Sequence, residues 1–349
     1  MDITQEIWGM IDDKPIVRYT MTNAKGESVV LSNFGGGIVA VNVLDKDGNL
    51  GDVALGYGKA ADYMSDGPCM GKSVGRYANR IAKGKFTLND VDYRLAINNG
   101  PNALHGGPTG FCNRVWGARV EGDRVVFSYL SEDGEEGYPG ELTVEVCYDW
   151  DDDANLAITY FARSTADTVV SLTNHAYFNL DGHDAGSIKG HTLTLNAHKW
   201  LPTDTTQIPT GEYADVEGTP MDFLGGRVIG ERMNEDFEAL KIGKGYDHCW
   251  VIDEYEEGSK IAIAGELKGE KSGRTMTVAT SLPGIQIYTG NWLSGCPVSK
   301  SGTEYEDYTG VALECQFFPD SPNKPEFPST TLKAGEVFEH AIIYTFSAE

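Results

Sequence analysis

Residues 311–318 read Val-Ala-Leu-Glu-Cys-Gln-Phe-Phe, an apolar run that contains one carboxylate. An apolar run of this length, followed at once by Pro319, is typical of a buried β-strand. Because burying an unpaired charge is costly, Glu314 needs either a structural partner or a chemical role. Taken alone, the segment slightly favours the structural role, with backbone donors or an arginine as partner.

Short strand-like runs recur throughout the 349-residue chain, separated by Asp-Gly and Asn-Gly turn dipeptides. Branched and aromatic side chains are concentrated in several of these runs, including residues 125–129, 142–146 and 275–280. Helical periodicity is weak, so we expect only short helices, near residues 60–64 and 231–240. This organisation predicts an all-β protein of the sandwich or barrel class. No linker, repeat or charge block interrupts it, and we expect one domain over residues 1–349.

One glycine-rich stretch matches the pattern of a nucleotide-binding motif. Residues 35–40 read Gly-Gly-Gly-Ile-Val-Ala and fit the pattern GxGxxA. That fingerprint works only where a helix N-terminus follows and meets the pyrophosphate. Val39, Val41 and Val43 instead occupy every second position, as in a strand. We therefore reject a nucleotide site here.

The chain is strongly acidic, with 28 basic and 52 acidic side chains and a formal net charge of −24. Phosphate backbones and anionic lipid surfaces repel such a chain, so we expect no nucleic acid and no membrane among its partners. None of the six cysteines lies in a CxxC pair, which favours buried, reduced thiols over a zinc ribbon. The first residues do not look like a signal peptide, and we predict a cytoplasmic location.

Residues 170–178 show the second informative pattern. Side chains alternate across a strand, so His175 and Tyr177 would share a polar face whose opposite side is apolar. The same alternation pairs Gln286 with Tyr288, and Glu314 with Gln316. Such faces carry the donors and acceptors that sugar hydroxyls need, although an ordinary half-exposed sheet is the better explanation of residues 170–178 taken alone.

Loops add further candidates. His105 lies in a turn-rich loop over residues 98–107, and Asp247 enters a strand after a glycine turn. A metal site built from His105, His175, Asp247 and Glu314 is conceivable, but no short ligand spacing supports it. We expect no metal.

Six segments in order resemble the aldose 1-epimerase (galactose mutarotase) family, and together they extend over nearly the whole chain. They include Gly-Arg-Tyr-Ala-Asn-Arg-Ile-Ala at residues 75–82 and Thr-Asn-His-Ala-Tyr-Phe-Asn-Leu at residues 173–180. The others are residues 102–107, 246–248, 283–291 and 314–323. Any one segment is a weak signal, whereas six in the same order are specific.

This resemblance implies a large antiparallel β-sandwich with a concave sugar-binding face. It also implies interconversion of the α and β anomers of a free aldohexose such as galactose or glucose, without a cofactor. Glu314 looks like the general base and His175 like the general acid. The substrate-binding positions that match are Asn79, Arg80, His105, Tyr177, Asp247 and Gln286. The small sugar is the expected partner of a monomer or homodimer.

The chain departs from the family pattern at two places, and the pKa of Glu314 depends on two opposing effects. Cys249 stands two residues after Asp247, where an amide is expected, and Cys112-Asn113 replaces a more charged pair. Burial raises the pKa of a carboxyl such as Glu314, whereas a nearby Arg80 lowers it. The sequence does not decide which effect is larger.

Three alternatives stay open at this point. A glycoside hydrolase would use two carboxylates, such as Asp247 and Glu314. A hexose-6-phosphate epimerase would need a cationic pocket, for which Arg76, Lys83 and Lys85 are candidates. A sugar-binding protein without activity would use the same fold.

Overall fold

Antiparallel strands make up most of this computed structural model, which describes residues 1–258 and 260–349 apart from the side chain of Ser65. Within those ranges the one α-helix is α1 (Glu238–Gly243), and no helix is long and apolar enough to cross a membrane. Single 3₁₀ turns occur at Ala60–Ser65, Ala82–Gly84, Phe111–Asn113, Glu135–Gly137, Ile188–Gly190 and Ser321–Asn323.

The strands, in chain order, are β1 (Asp2–Ile11), β2 (Lys14–Thr22), β3 (Ser28–Ser32), β4 (Gly37–Leu44), β5 (Leu50–Asp52), β6 (Ser73–Val74), β7 (Arg80–Ile81), β8 (Lys85–Leu88), β9 (Val91–Arg94), β10 (Ala103–Leu104), β11 (Gly117–Glu121), β12 (Arg124–Ser131), β13 (Leu142–Trp150), β14 (Asn155–Ser164), β15 (Thr168–Val169), β16 (Thr173–Asn174), β17 (Tyr177–Phe178), β18 (Thr192–Leu195), β19 (Lys199–Trp200), β20 (Ala214–Asp215), β21 (Arg227–Val228), β22 (Asp247–Val251), β23 (Ala262–Lys268), β24 (Arg274–Thr280), β25 (Gly284–Tyr288), β26 (Val311–Gln316), β27 (Thr331–Leu332) and β28 (Val337–Ala348).

Three antiparallel sheets of the described chain hold most of these strands. The largest has nine strands, in the order β11-β12-β13-β14-β28-β24-β23-β18-β21. A six-stranded sheet has the order β17-β26-β25-β22-β19-β20, and a five-stranded sheet runs β1-β2-β3-β4-β5. The predicted all-β class and antiparallel sandwich are confirmed.

The nine-stranded and six-stranded sheets pack against each other through one large apolar core. From β28, the Tyr344 hydroxyl donates to the Leu313 carbonyl of β26 at 3.1 Å. The Tyr344 ring also meets the ring of Phe178 in β17 edge-on, with 5.2 Å between centroids. Burial of these large side chains fixes which face of β26 points away from the core.

Several local predictions are confirmed. Residues 125–129, 142–146 and 275–280 lie in β12, β13 and β24. The nucleotide-like glycine stretch leads into strand β4, with no helix to meet a pyrophosphate. The first short helix is present as a 3₁₀ turn, whereas α1 overlaps only the end of the second expected stretch.

The predicted continuous strand over residues 170–178 is wrong. Two two-residue strands replace it: β16 pairs with β6, and β17 pairs with β26, so the chain changes partner at His175 and Ala176. The Asn174 side chain bridges this break, since its Oδ1 accepts from the Ala176 amide at 3.0 Å and its Nδ2 donates to the Gly71 carbonyl. An alternating sequence cannot reveal this change of partner, because both halves keep the same in-out order.

Candidate active site

Strand register collects the polar side chains of the six-stranded sheet on one face. In β25 and β26, Gln286 lies directly opposite Glu314, and in β22 and β25, Asp247 lies opposite Tyr288. Directly opposed residues of antiparallel strands point to the same side, as do residues two apart in one strand. The other face of these strands enters the apolar core through Ile285, Ile287, Leu313 and their neighbours.

A cavity of about 450 Å³ lies over this polar face. Its lining consists of Gly67, Pro68, Asn79, Arg80, Asn99, Leu104, His105, His175, Tyr177, Gln207, Asp247, Tyr288, Trp292 and Glu314. Seven of the eight predicted site residues are in that set. Gln286 is not, and its amide donates to Asp247 Oδ1 at 2.7 Å.

The two loops that carry Asn79 and His105 hold each other. The His105 amide donates to the Asn79 carbonyl at 2.9 Å, and the Asn79 amide donates to His105 Nδ1 at 3.2 Å. Gly106 has a φ of +79°, and a Cβ there would lie 2.0 Å from the Gly75 carbonyl oxygen. Only glycine allows that close passage, which sets the direction in which His105 points.

His105 is a neutral hydrogen-bond donor in this arrangement. Burial lowers its pKa well below the usual value, and the neighbouring His175 and Arg80 act in the same direction. Since Nδ1 accepts a backbone hydrogen bond, the proton of the neutral ring is on Nε2. The side chain therefore offers one N–H to an acceptor in the cavity.

Glu314 and His175 form a close, poorly satisfied pair at the cavity wall. Glu314 Oε1 lies 3.5 Å from His175 Nε2, and the two side chains are only 2% and 5% exposed. Within the described part of the chain, Glu314 Oε2 and His175 Nδ1 have no hydrogen-bond partner. Buried polar atoms are nearly always paired, so both unpaired atoms are available to a ligand that enters the cavity.

Burial decides the protonation of this pair. It raises the pKa of Glu314 well above its usual value, with Asp247 acting in the same direction and Arg80 opposing. Burial also lowers the pKa of His175 to about 4. Burial thus favours the uncharged form of each member, a protonated carboxyl on Glu314 and a neutral imidazole on His175. The effect of burial on Glu314 exceeds that of Arg80, which answers the question that the sequence left open.

Gln207 links the two charged residues of the cavity, and sequence analysis missed it. Its Oε1 accepts from Arg80 Nη2 at 2.7 Å, and its Nε2 donates to Asp247 Oδ2 at 2.6 Å. Arg80 and Asp247 themselves are 3.8 Å apart. Gln207 lies in a polar turn with a φ of +63°, and no pattern in the sequence around it indicates a site.

Other sequence candidates are structural in this fold. The buried guanidinium of Arg76 donates to the carbonyls of Pro139 and Gly140, each at 2.8 Å, and lies outside the cavity. Lys83 and Lys85 are exposed and do not line the cavity either. The cationic phosphate pocket considered above therefore does not form from these residues.

Cys249, the departure beside Asp247, does not hold that carboxylate. Cys249 packs in an apolar cluster with Leu201, Phe318 and Phe327. The two oxygens of Asp247 are occupied by Gln207 and Gln286. The departure thus leaves the geometry of Asp247 unaffected.

Three donor groups have an arrangement that a metal ion could use. The ligand atoms of His105, His175 and Glu314 lie within 4.8 Å of one another, without Asp247. Two imidazoles and a carboxylate also suit the direct proton transfers of sugar chemistry. The grouping by itself does not distinguish the two uses.

The fold and cavity together define a class of protein. A cavity over a sheet face that holds a buried glutamate and histidine, together with amides, an arginine and aromatic side chains, is suited to bind a small polyhydroxylated ligand. The sequence model of the family described as aldose 1-epimerase matches residues 17–345. The chain belongs to this aldose 1-epimerase family.

Known proteins resemble the chain over almost its full length. It is 41% identical to the galactose mutarotase of Bos taurus over 99% of both chains, and 37% identical to the aldose 1-epimerase of Escherichia coli K12 over 97% of both. The crystal structure of an aldose epimerase homologue from C. elegans superposes with a TM-score of 0.87 at 31% identity, covering 94% of this chain and 98% of that one. Galactose 1-epimerase from Lactobacillus acidophilus gives the same TM-score at 27% identity over 99% of both chains.

Proposed function

We propose that Glu314 and His175 are the acid–base couple with which this aldose 1-epimerase interconverts the α and β anomers of free aldohexoses. The 3.5 Å between Glu314 Oε1 and His175 Nε2 carries the proposal. The hydroxyl oxygen on C1 and the ring oxygen O5 are bonded to the same carbon. One base and one acid must therefore act at neighbouring atoms, as this close pair can.

The reaction needs one proton on the couple and moves it without net consumption. Glu314, as carboxylate, takes the proton from the C1 hydroxyl while protonated His175 donates to O5, and the C1–O5 bond breaks. The resulting aldehyde rotates about the C1–C2 bond, and the ring closes on the other face as both transfers reverse. The pair reaches this form from the uncharged pair that burial favours when one proton moves from Glu314 to His175.

The remaining residues are proposed to bind the sugar. Arg80, Asp247, Asn79 and His105 present charged and neutral partners for hydroxyls, and Tyr177 supplies an aromatic wall. Gln286 acts through Asp247, to which it is hydrogen-bonded. Galactose and glucose are the proposed substrates.

The alternatives find less support. Glycoside hydrolases place two carboxyl groups about 5–9.5 Å apart around the bond they cleave, whereas the close partner of Glu314 is an imidazole. Among the described residues, Arg80 is the one arginine or lysine lining the cavity, and three of its five N–H groups already donate to Asn79, Asn99 and Gln207, which leaves two for sugar hydroxyls. A phosphorylated hexose is therefore not favoured.

The wider setting of the chain is also part of the proposal. We infer one domain over residues 1–349, since β28 joins β14 to β24 in the middle of the largest sheet. The cytoplasmic location and the monomer or homodimer stay predictions.

Polarimetry on freshly dissolved α-galactose tests the couple. Glu314→Gln and His175→Asn should each slow anomerisation by about 10²–10⁴-fold, the usual contribution of positioned acid–base groups. Matched controls at exposed positions, Glu217→Gln and His198→Asn, should retain the rate of the unmodified enzyme. If either cavity variant keeps a near-normal rate, the assignment is contradicted. If the unmodified protein itself gives only the buffer rate of mutarotation, a non-catalytic sugar-binding role is favoured.

A further inference from the structure

Two thiols beside the cavity lie unusually close together. The Sγ atoms of Cys69 and Cys112 are 2.9 Å apart, and both cysteines are free. A disulfide bond is about 2.05 Å long, so a shift of about 1 Å separates the present contact from a covalent bond. Neither thiol takes part in the sugar chemistry proposed above.

The surroundings of the pair distinguish its two sulfur atoms. The Cys69 S–H donates to Cys112 and lowers the pKa of the Cys112 thiol, with the ammonium of Lys72 acting in the same direction. The same hydrogen bond, together with burial, raises the pKa of Cys69. A lowered pKa increases the thiolate fraction of Cys112, and the thiolate is the form of cysteine that reacts with oxidants.

Both cysteines lie in segments that position the proposed catalytic region. Residues just before Cys69 line the cavity, and the Pro68 carbonyl accepts from the Tyr177 hydroxyl at 3.3 Å. Just after it, the Gly71 amide donates to the His175 carbonyl and the Lys72 carbonyl accepts from the His175 amide, each at 2.9 Å. Cys112 belongs to the 3₁₀ turn that follows the loop of His105.

We propose that Cys69 and Cys112 are a peroxide-sensitive disulfide site that controls the position of His175. The Cys112 thiolate attacks one oxygen of hydrogen peroxide, the O–O bond breaks, and hydroxide leaves to give a sulfenic acid. The Cys69 sulfur then attacks the Cys112 sulfur and displaces the hydroxyl group as water. Overall, two thiols and one hydrogen peroxide give one disulfide and two waters.

Burial selects a small oxidant. Cys69 is 7% exposed and Cys112 only 2%, which leaves no room for a bulky disulfide such as oxidised glutathione to attack directly. Closing the bond draws residues 69–72 toward the 3₁₀ turn and moves the backbone to which His175 is bonded. Since a displacement of about 1 Å in an active site can cost about 100-fold in rate, we expect mutarotation to slow at least several-fold.

Stoichiometric hydrogen peroxide treatment of the full chain, followed by thiol counting and peptide mass spectrometry, tests the site. After denaturation, the untreated protein should show six titratable thiols and the peroxide-treated protein four. Mass spectrometry should find a cross-linked peptide that joins Cys69 to Cys112. Galactose mutarotation should fall with the same time course and return after dithiothreitol. Because thiol counting does not depend on the assay, failure of this proposal and failure of the proposed function are distinguishable.

Substitutions provide the controls. Cys69→Ser and Cys112→Ser should each abolish the cross-link and the peroxide-dependent loss of rate, whereas Cys147→Ser, which removes a thiol of the largest sheet, should retain both. Six thiols remaining after treatment, or a cross-link at other cysteines, overturns the site. A Cys69–Cys112 cross-link that leaves mutarotation unchanged overturns its effect on His175.

Discussion

Asp66 and Glu314 are both buried carboxylates near the same cavity, but their surroundings are opposite. Asp66 accepts from the Lys72 ammonium at 3.1 Å, the Tyr57 hydroxyl at 2.9 Å and the Met70 amide at 2.7 Å. Glu314 has one oxygen without any partner in the described chain and a histidine 3.5 Å from the other.

The difference separates a carboxylate that holds a loop in place from one that is available for reaction. For a buried carboxylate with partners, fixed hydrogen-bond donors replace the lost hydration. Removal of the carboxylate charge leaves its cationic partner buried without a counter-charge. Burial raises the pKa of an unpaired carboxyl, and that carboxyl can exchange its proton when a ligand supplies new partners. Burial alone therefore does not distinguish the two carboxylates, whereas their hydrogen-bond partners do.

Asp66→Asn should produce the largest change in stability. It leaves the Lys72 ammonium, whose side chain is 1% exposed, without its counter-charge, and breaking such a buried pair typically costs about 3–5 kcal/mol. Urea unfolding followed by tryptophan fluorescence measures this loss. Glu314→Gln is the matched control, since it removes a carboxylate without breaking an ion pair to lysine or arginine, and equal losses for the two variants would abolish the contrast.

Glu314 should make stability depend on pH. Because its folded-state pKa is raised, the folded protein keeps a proton that the unfolded chain has lost, so the contribution of Glu314 declines as pH rises from the unfolded pKa to the folded one. For one proton the decline is about 1.4 kcal/mol per pH unit. The free energy of unfolding of Glu314→Gln minus that of the unmodified protein should therefore grow over this window. A difference that is flat with pH contradicts the raised pKa.

Gln207→Leu should have the smallest of these effects. It removes one hydrogen bond to Arg80 and one to Asp247 without changing Glu314 or His175. Loss of binding that is equal in the ground and transition states raises KM and leaves kcat unchanged. If the two hydrogen bonds together are worth about 1.4 kcal/mol, KM should rise about tenfold. Initial-rate polarimetry over a range of galactose concentrations measures both constants. Gln5→Leu, at an exposed position of β1, is the control, and a fall in kcat alone would place Gln207 in the chemical step.

Strand periodicity predicted the polar faces correctly because alternation is a local property. Gln286 and Glu314 project from the same side of the six-stranded sheet, as the pattern in each strand indicates. Residues 170–178 also keep their in-out order, but their change of pairing partner depends on segments far away in the chain. Pairing partners are a tertiary property that a single strand does not encode.

The composition of the cavity was predictable only where a motif marked it. Gln207 comes from a turn with no distinguishing pattern, and its place between Arg80 and Asp247 results from the folding of distant loops. Arg76 shows the reverse case, because this arginine lies in a motif-rich segment and yet binds the backbone carbonyls of Pro139 and Gly140. Side-chain chemistry suggests a role, and three-dimensional neighbours decide it.

Strand β28 has a consequence for how the protein folds during synthesis. It pairs with β14 on one side and β24 on the other, and its Thr345 bonds to Asn155, 190 residues earlier. Both partner strands leave the ribosome before β28 does, and the edge of each that pairs with β28 stays unpaired until then. Such long-range pairing makes folding slow, and the unpaired strand edges can meanwhile pair with other chains and aggregate. We therefore expect nascent chains of this protein to depend on chaperone protection until β28 emerges.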